Sequence, residues 1–456
     1  MLDILIHNGF IVTQDGTFKG FVGAKNGRTC LIGNDSDSLP EAKYCIDAKR
    51  KYVFPGFIDP HVHMWDPGKT NRDDWFHATQ AAAAGGITTV IEHPLSIPPV
   101  KNIDAFNLKL EIARKKANVD FALWGALTPD NISDIQELYE AGCVAFKGFI
   151  SYCNEDYPSV TDSILFEALK LSKKKNYLLA VHAENAEMAA EGERLMKALN
   201  RKDPLAHLNS RETIVELEAI NRVIFFAEHS GGSIHIVHMT IAEGAELIKQ
   251  AKARGVHITA ETCPQYIAAD CSLLEERGPF AKCTPPLRRP ENTLKMWDYI
   301  KDGTIDMITS DHTDYLYEEK AAAVNNIWNC ENGMPGVATL APITIDACMN
   351  KNHICAERVA QLLSSNAAKL FKLYPRKGAI MPGSDADYTI VDINKEWIVD
   401  GRTLYYKQGW SPFDGKRVKG AIDKTIVRGK VVFEDGLVKS FPGYGQFINP
   451  RNLYSE

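Results

Sequence analysis

FPGFIDPHVHMW, residues 54–65, begins as a buried strand and ends with two histidines, His61 and His63, one residue apart. A β-strand points residues i and i+2 to the same face, so the two imidazoles can reach one point in space, an arrangement that holds a metal ion. Isolated histidines are more often solvated or satisfied by hydrogen bonds, so the weight of this pair depends on the chain around it.

Eight short apolar, β-branched runs recur between residues 50 and 312: 52-YVFPGFID-59, 86-GITTVIEH-93, 119-VDFALWGA-126, 143-CVAFKGFI-150, 177-YLLAVHAE-184, 233-SIHIVHMT-240, 257-HITAETCP-264 and 305-IDMITSDH-312. Amphipathic, charge-rich segments such as 104–118, 162–176 and 241–255 lie between them and predict helices ending near Asn or Gly. The 184–233 gap has room for extra helices, including 211–229. Eight strand-then-helix units are what an α/β (β/α)8 barrel of the TIM type requires, and parallel strands covered on both faces explain the near-continuous apolarity. The ends differ: residues 1–50 and 375–440 alternate in strand fashion with Asn-Gly and Asp-Gly turns. Neither end looks self-sufficient, so the expected organisation is one small β-sandwich domain built from both termini, with the barrel over 51–374 inserted between its halves; two unrelated β appendages are the alternative. The tail, 441–456, is expected to pack on a neighbouring subunit or to be loose.

The chain has 456 residues, 45% of them hydrophobic and 24% charged, and a net charge of −6, an ordinary globular balance with no electrostatic footprint for nucleic acid or anionic membrane. No apolar run approaches the ~18 residues of a membrane helix. The N-terminus, MLDILIHNGF, lacks the basic start of a signal peptide, and a cytoplasmic location is expected. Ten cysteines lie scattered with no CxxC pair, which reads as reduced, mostly buried thiols.

In such a barrel the chemistry sits at the C-terminal ends of the strands. Those ends carry His61 and His63, Lys147 within 145-AFKGF-149, His182, His238 and Asp311. A lysine in an apolar strand loses its charge unless something compensates. One compensation is a buried ion pair. The other is reaction of the neutral amine with carbon dioxide, giving a carbamate that bridges two metals. On the second reading His61, His63 and Asp311 hold one divalent cation, His182 and His238 the other, and N-carboxylated Lys147 joins them, with zinc the expected metal.

Strand parity predicts that His238 shares a face with Ile234 and Ile236 and that His235 faces the helix layer. His312 is expected to point away from Asp311, and His257 lies at the start of its strand. His77, His207, His229 and His353 fall in helices or loops, and His93 is read either as a support behind the ligands or as pocket wall. Paired cations supply hydroxide at neutral pH and polarise a carbonyl, with Asp311 as general base and then general acid towards a leaving nitrogen, and Tyr152 either as oxyanion donor or as an ordinary wall residue.

The set 59-DPHVH-63, 146-FKGF-149, 181-VHAEN-185, 237-VHMT-240, 261-ETCPQY-266, 283-CTPPLR-288 and 310-SDH-312 resembles the cyclic amidohydrolases: hydantoinase and dihydropyrimidinase, allantoinase, and dihydroorotase. The resemblance spans nearly the whole chain. It implies carboxylated Lys147, two divalent metals, opening of a cyclic ureide or imide ring, and a homotetramer. Dihydroorotases carry an Arg where this chain has Trp65, which counts against that activity. Tyr152 and 331-ENGMPG-336 resemble hydantoinases and dihydropyrimidinases, in which backbone groups at positions matching Thr284 and Asn332 hold the ureide edge. By contrast 83-AAGGITTVIEHPL-95, 282-KCTPPLRRPENTLKMW-297 and 445-GQFI-448 look more like allantoinases, and the 311-DHTDY-315 loop matches none of the three closely. The expected substrate is a small cyclic ureide opened in the hydantoinase manner, with Trp65, His93, Tyr152, Thr284 and Asn332 around it. Allantoin is the alternative, and mononuclear deaminases and non-catalytic scaffold relatives are the more distant ones.

Overall fold

The computed structural model describes residues 1–452. Five strands open the chain: β1 (Leu2–Thr13), β2 (Gly16–Lys25), β3 (Arg28–Asn34), β4 (Ala42–Asp47) and β5 (Tyr52–Pro55). Eight short runs follow as nine strands, β6 (Phe57–Val62), β7 (Ile87–Glu92), β8 (Asp120–Leu123), β9 (Gly125–Ala126), β10 (Phe146–Phe149), β11 (Leu179–His182), β12 (Ile234–Ile236), β13 (Ile258–Thr262) and β14 (Met307–Ile308). Four more close the chain: β15 (Tyr388–Ile398), β16 (Arg417–Val427), β17 (Lys430–Glu434) and β18 (Leu437–Val438).

The first five and last four strands form one nine-stranded sheet. Its seam is β5, parallel to β1 through Tyr52 and Val53 and antiparallel to β15 through Val53↔Ile390 and Pro55↔Tyr388. Both termini therefore contribute to the small β-sandwich domain, around a core that includes Ile4, Ile11, Val53, Ile390 and Ile426.

The run 52-YVFPGFID-59, read from sequence as one barrel strand, is two strands in different sheets. Chain and sheet part at Gly56, where a Cβ would lie 2.2 Å from Thr88 Oγ1 and 2.8 Å from Asp387 Cβ, so only glycine lets the two sheets approach this closely. The joint is fixed by Gly56 N–H donating to Asp387 O at 2.8 Å and Ser364 Oγ donating to Gly56 O at 2.6 Å.

The barrel is made of a six-stranded and a three-stranded parallel sheet. They meet across β8 and β9, one run interrupted at Trp124, and again where Val62 bridges His312. The helices follow the amphipathic segments. Asp162–Lys175, for example, starts where the Thr161 side chain accepts from Ile164 N–H and ends in Lys173, Lys174 and Lys175, which oppose the negative end of the helix dipole. It stops at Asn176 in the left-handed conformation, φ 57°. The 184–233 insertion contains Ala186–Ala198, Pro204–Ser210 and Thr213–Ser230.

The tail is neither loose nor free as far as it is described. Phe121 N–H donates to Gln446 O at 2.9 Å, Ile448 N–H donates to Phe121 O at 2.8 Å, and Ile448 is buried, so residues 446–448 pair in parallel with the edge of β8. Residues 453–456 lie outside the described residues. No helix among the described residues is long and apolar enough to cross a membrane.

Candidate metal centre

One cavity of about 240 Å³ at the C-terminal mouth of the barrel is lined by His61, His63, Lys147, His182, His238 and Asp311 together. His61 Nε2 lies 3.1 Å and His63 Nε2 3.4 Å from Asp311 Oδ1. On the other side His182 Nδ1 lies 2.9 Å from His238 Nε2. Lys147 is 1% exposed and has no carboxylate within ion-pair distance among the described residues. The ion-pair explanation for this lysine is therefore not met in the structure.

Carboxylates behind the imidazoles aim them. Glu184 accepts from His182 Nε2 at 2.7 Å and is itself held by Arg211 at 3.1 Å, so the His182 lone pair is left on Nδ1, facing the cavity. Glu261 accepts from His61 Nδ1, which leaves Nε2 for the cavity, and its second oxygen takes His235 Nε2 at 3.1 Å. His238 backbone N–H reaches Glu261 at 3.3 Å. Glu184 and Glu261 are residues that sequence reasoning did not assign. Each stood inside a quoted run, and the usable signal was an acid within an apolar strand end, which must find a buried partner.

His235 corrects the parity reading. Ile234 and Ile236 pack into the main hydrophobic cluster with Val223 and Ile248 of the surrounding helices, whereas His235 turns inward to Thr259 Oγ1 at 2.8 Å and to Glu261. The strand ends at Ile236, and His238, at φ 38°, has left the alternation, so it enters the cavity despite sharing parity with the isoleucines. Asp311 at φ 50° and Trp65 at φ 44° are held in the same left-handed region, a cost of order 1–3 kcal/mol per residue that functional sites tend to carry. His312 does point away from the cavity, its Nδ1 accepting from Gly336 N–H at 3.0 Å.

The expected substrate residues divide. Trp65, Tyr152, Thr284 and Asn332 line the cavity, with Thr313 and Tyr315 from the 311–315 loop. Tyr152 is 74% exposed, standing at the rim rather than over the centre. His93 does not line the cavity; it stacks on His61 with centroids 3.9 Å apart and planes 2° from parallel, and leans on Trp124 at 4.6 Å. An imidazole donates its lone pair in the ring plane, so two rings stacked face to face do not aim at one ion, and His93 supports His61 rather than joining it as a ligand.

Without metal the site is electrostatically frustrated. Burial pushes His63 down to about 4 and Lys147 down to about 8. Against the same burial, the Glu261 and Asp311 carboxylates hold His61 up at about 9, and His61 and His63 keep the Asp311 carboxyl well below the usual range despite its desolvation. His63 Nδ1 and His238 Nδ1 are buried with no hydrogen-bond partner among the described residues. Converging imidazole lone pairs, an acid among them and a lysine without a counter-ion fit a pair of divalent cations bound by nitrogen and oxygen donors.

A model of the amidohydrolase family matches residues 52–432. An L-hydantoinase from Paenarthrobacter aurescens is 35% identical over 99% of both chains. An allantoinase from Rubrobacter xylanophilus is also 35% identical, over 100% of this chain and 99% of its own. Among solved structures, L-hydantoinase (dihydropyrimidinase) from Arthrobacter aurescens superimposes with a TM-score of 0.96 at 34% identity, covering 98% of this chain and all of its own. A D-hydantoinase gives 0.91 at 31% identity, over 98% and 99%. With the match running from the sheet seam through the barrel and back into the terminal strands, this chain belongs to the amidohydrolase family.

Proposed function

We propose that the protein opens the ring of a cyclic ureide by hydrolysing its amide bond, in the manner of a hydantoinase or dihydropyrimidinase. The observation that carries the reading is the convergence of His61, His63, Lys147, His182, His238 and Asp311 on one cavity. His61, His63 and Asp311 would hold one divalent cation, His182 and His238 the other, with N-carboxylated Lys147 between them and zinc the metal that suits the donors. Bound there, such cations supply Lewis acidity towards the ring carbonyl and a water acidic enough to attack at neutral pH.

The side chains do the remaining work. Asp311, held ionised by His61 and His63, accepts the proton of the attacking water at a carboxylate oxygen and returns it to the ring nitrogen as the C–N bond breaks. Backbone groups at Thr284 and Asn332 fix the ureide edge. Tyr152, on the loop at the rim, donates to the oxyanion once that loop folds inward. Trp65 closes the wall with an indole where recognition of a carboxylated ring calls for a cation, which disfavours dihydroorotate.

Allantoin is the competing substrate, since relatives at equal identity carry both names. Tyr152 and Asn332, which touch the cavity, favour the hydantoinase reading. Ring-opening rates of the zinc-loaded enzyme on hydantoin, 5-substituted hydantoins, dihydrouracil, allantoin and dihydroorotate decide: a hydantoin or dihydrouracil leads, and a clear lead for allantoin or dihydroorotate rejects the reading. A homotetramer in the cytoplasm belongs to the same proposal, checked by sedimentation and fractionation.

A further inference from the structure

Five lysines are buried among the described residues: Lys109, Lys147, Lys282, Lys320 and Lys377. Two have carboxylate partners, Lys109 with Glu92 at 2.5 Å and Lys377 with Asp120 at 2.5 Å and Asp387 at 2.6 Å. Lys147 belongs to the metal centre. Lys282 and Lys320 have no carboxylate within ion-pair distance among the described residues. Each donates instead to a backbone carbonyl, Lys282 Nζ to Cys330 O at 2.6 Å and Lys320 Nζ to Glu331 O at 2.8 Å. Two consecutive carbonyls immediately before Asn332 are thus held by buried ammonium groups, 5% and 0% exposed. A carbonyl dipole offsets only part of the desolvation of a full charge, so this wall holds two ammonium groups that no carboxylate pairs directly among the described residues.

The wall faces a second cavity of about 630 Å³. It shares Tyr152, Cys153, Thr284, Glu331 and Asn332 with the metal-site cavity, so a substituent on a ring held at the first has a direct way into the second. Lys282 and Arg211 line it. The other charges at its edge are accounted for: Arg211 pairs with Glu184, Arg194 with Glu191 and Lys197 with Glu193, while the Glu331 side chain stands exposed where water screens it.

We propose that the second cavity receives a carboxylate carried by the ring substituent of the substrate, with Lys282 as its counter-ion. The inference rests on the ring-opening reading and adds the class of substituent: a short chain ending in an anion.

The test compares 5-(2-carboxyethyl)hydantoin with 5-(2-carbamoylethyl)hydantoin, equal in shape and different in charge. The expected kcat/KM ratio favours the carboxylate by about tenfold or more. It collapses towards one in Lys282→Met and is restored in Lys282→Arg. Equal rates on the two rings in the native enzyme, or an unchanged ratio in Lys282→Met, overturns the proposal. If neither ring opens, the ring-opening reading is what falls, and calorimetry on the metal-loaded protein still decides the charge preference. There N-carbamoylglutamate must bind more tightly than N-carbamoylglutamine, and equal binding overturns the proposal.

Discussion

Replacing Lys147 by Met removes the charge and keeps the length of the side chain. In metal-free protein, burial lowers the Lys147 ammonium from 10.5 to about 8. At 1.36 kcal/mol per unit, the charged folded state is penalised by about 3 kcal/mol. Because the folded value lies below the unfolded one, the folded chain binds fewer protons than the unfolded chain between about pH 8 and 10.5. Stability therefore rises with pH across that window, and the penalty is complete below it. Lys147→Met carries no such penalty. In chelator-treated, CO2-depleted buffer it should resist urea better than the native sequence by about 3 kcal/mol at pH 7, with the difference shrinking by pH 10. The loaded enzyme should move the opposite way. On the proposed arrangement, loss of the Lys147 group would leave His182 and His238 as a two-ligand site, so bound metal should fall from two equivalents to at most one, and ring opening by about 10³-fold, near 4 kcal/mol of transition-state stabilisation. Metal analysis after dialysis, unfolding curves at the two pH values and single-substrate kinetics make the assay. A Lys147→Met protein that keeps two metals and the native rate, or whose metal-free form is weaker at pH 7, refutes the reasoning.

Glu261→Gln should weaken metal binding by about 10–100-fold, read by chelator competition, because an amide accepts from one imidazole and presents its N–H2 to the other; unchanged affinity would leave Glu261 without a role in aiming His61. Tyr152→Phe should cost about 10²-fold in kcat with little change in KM if the rim loop brings the hydroxyl to the oxyanion, and no loss would make Tyr152 an ordinary wall residue. Lys377→Met leaves Asp120, Asp385 and Asp387 together without their ammonium, and unfolding free energy should drop by about 3–5 kcal/mol, with the rate of the remaining folded enzyme unchanged. A stable Lys377→Met protein would show that Arg428, which also bonds Asp120, is sufficient.

The barrel was legible because each strand is a short apolar run, and the ionisable residues at the ends of those runs stand out against their surroundings. His61, His63, Lys147, His182, His238 and Asp311 could all be named without coordinates for that reason. The contribution of both termini to one sheet was also readable, from turn signals flanking runs too few to close a core at either end.

Tertiary structure alone decided what depends on pairing across long separations or on departures from alternation. The Glu261 carboxylate meets a histidine 200 residues away, and nothing local to either residue records it. His238 enters the cavity and His235 serves Glu261 because the chain turns to positive φ after Ile236, where the two-residue period stops applying. The same limit hid the change of sheet at Gly56: apolar strands on either side read as one run, and only the missing Cβ between Thr88 and Asp387 shows that two layers meet there. Side-chain type and short-range period are written along the chain, whereas which buried charge faces which partner is set by the folded backbone that brings them together.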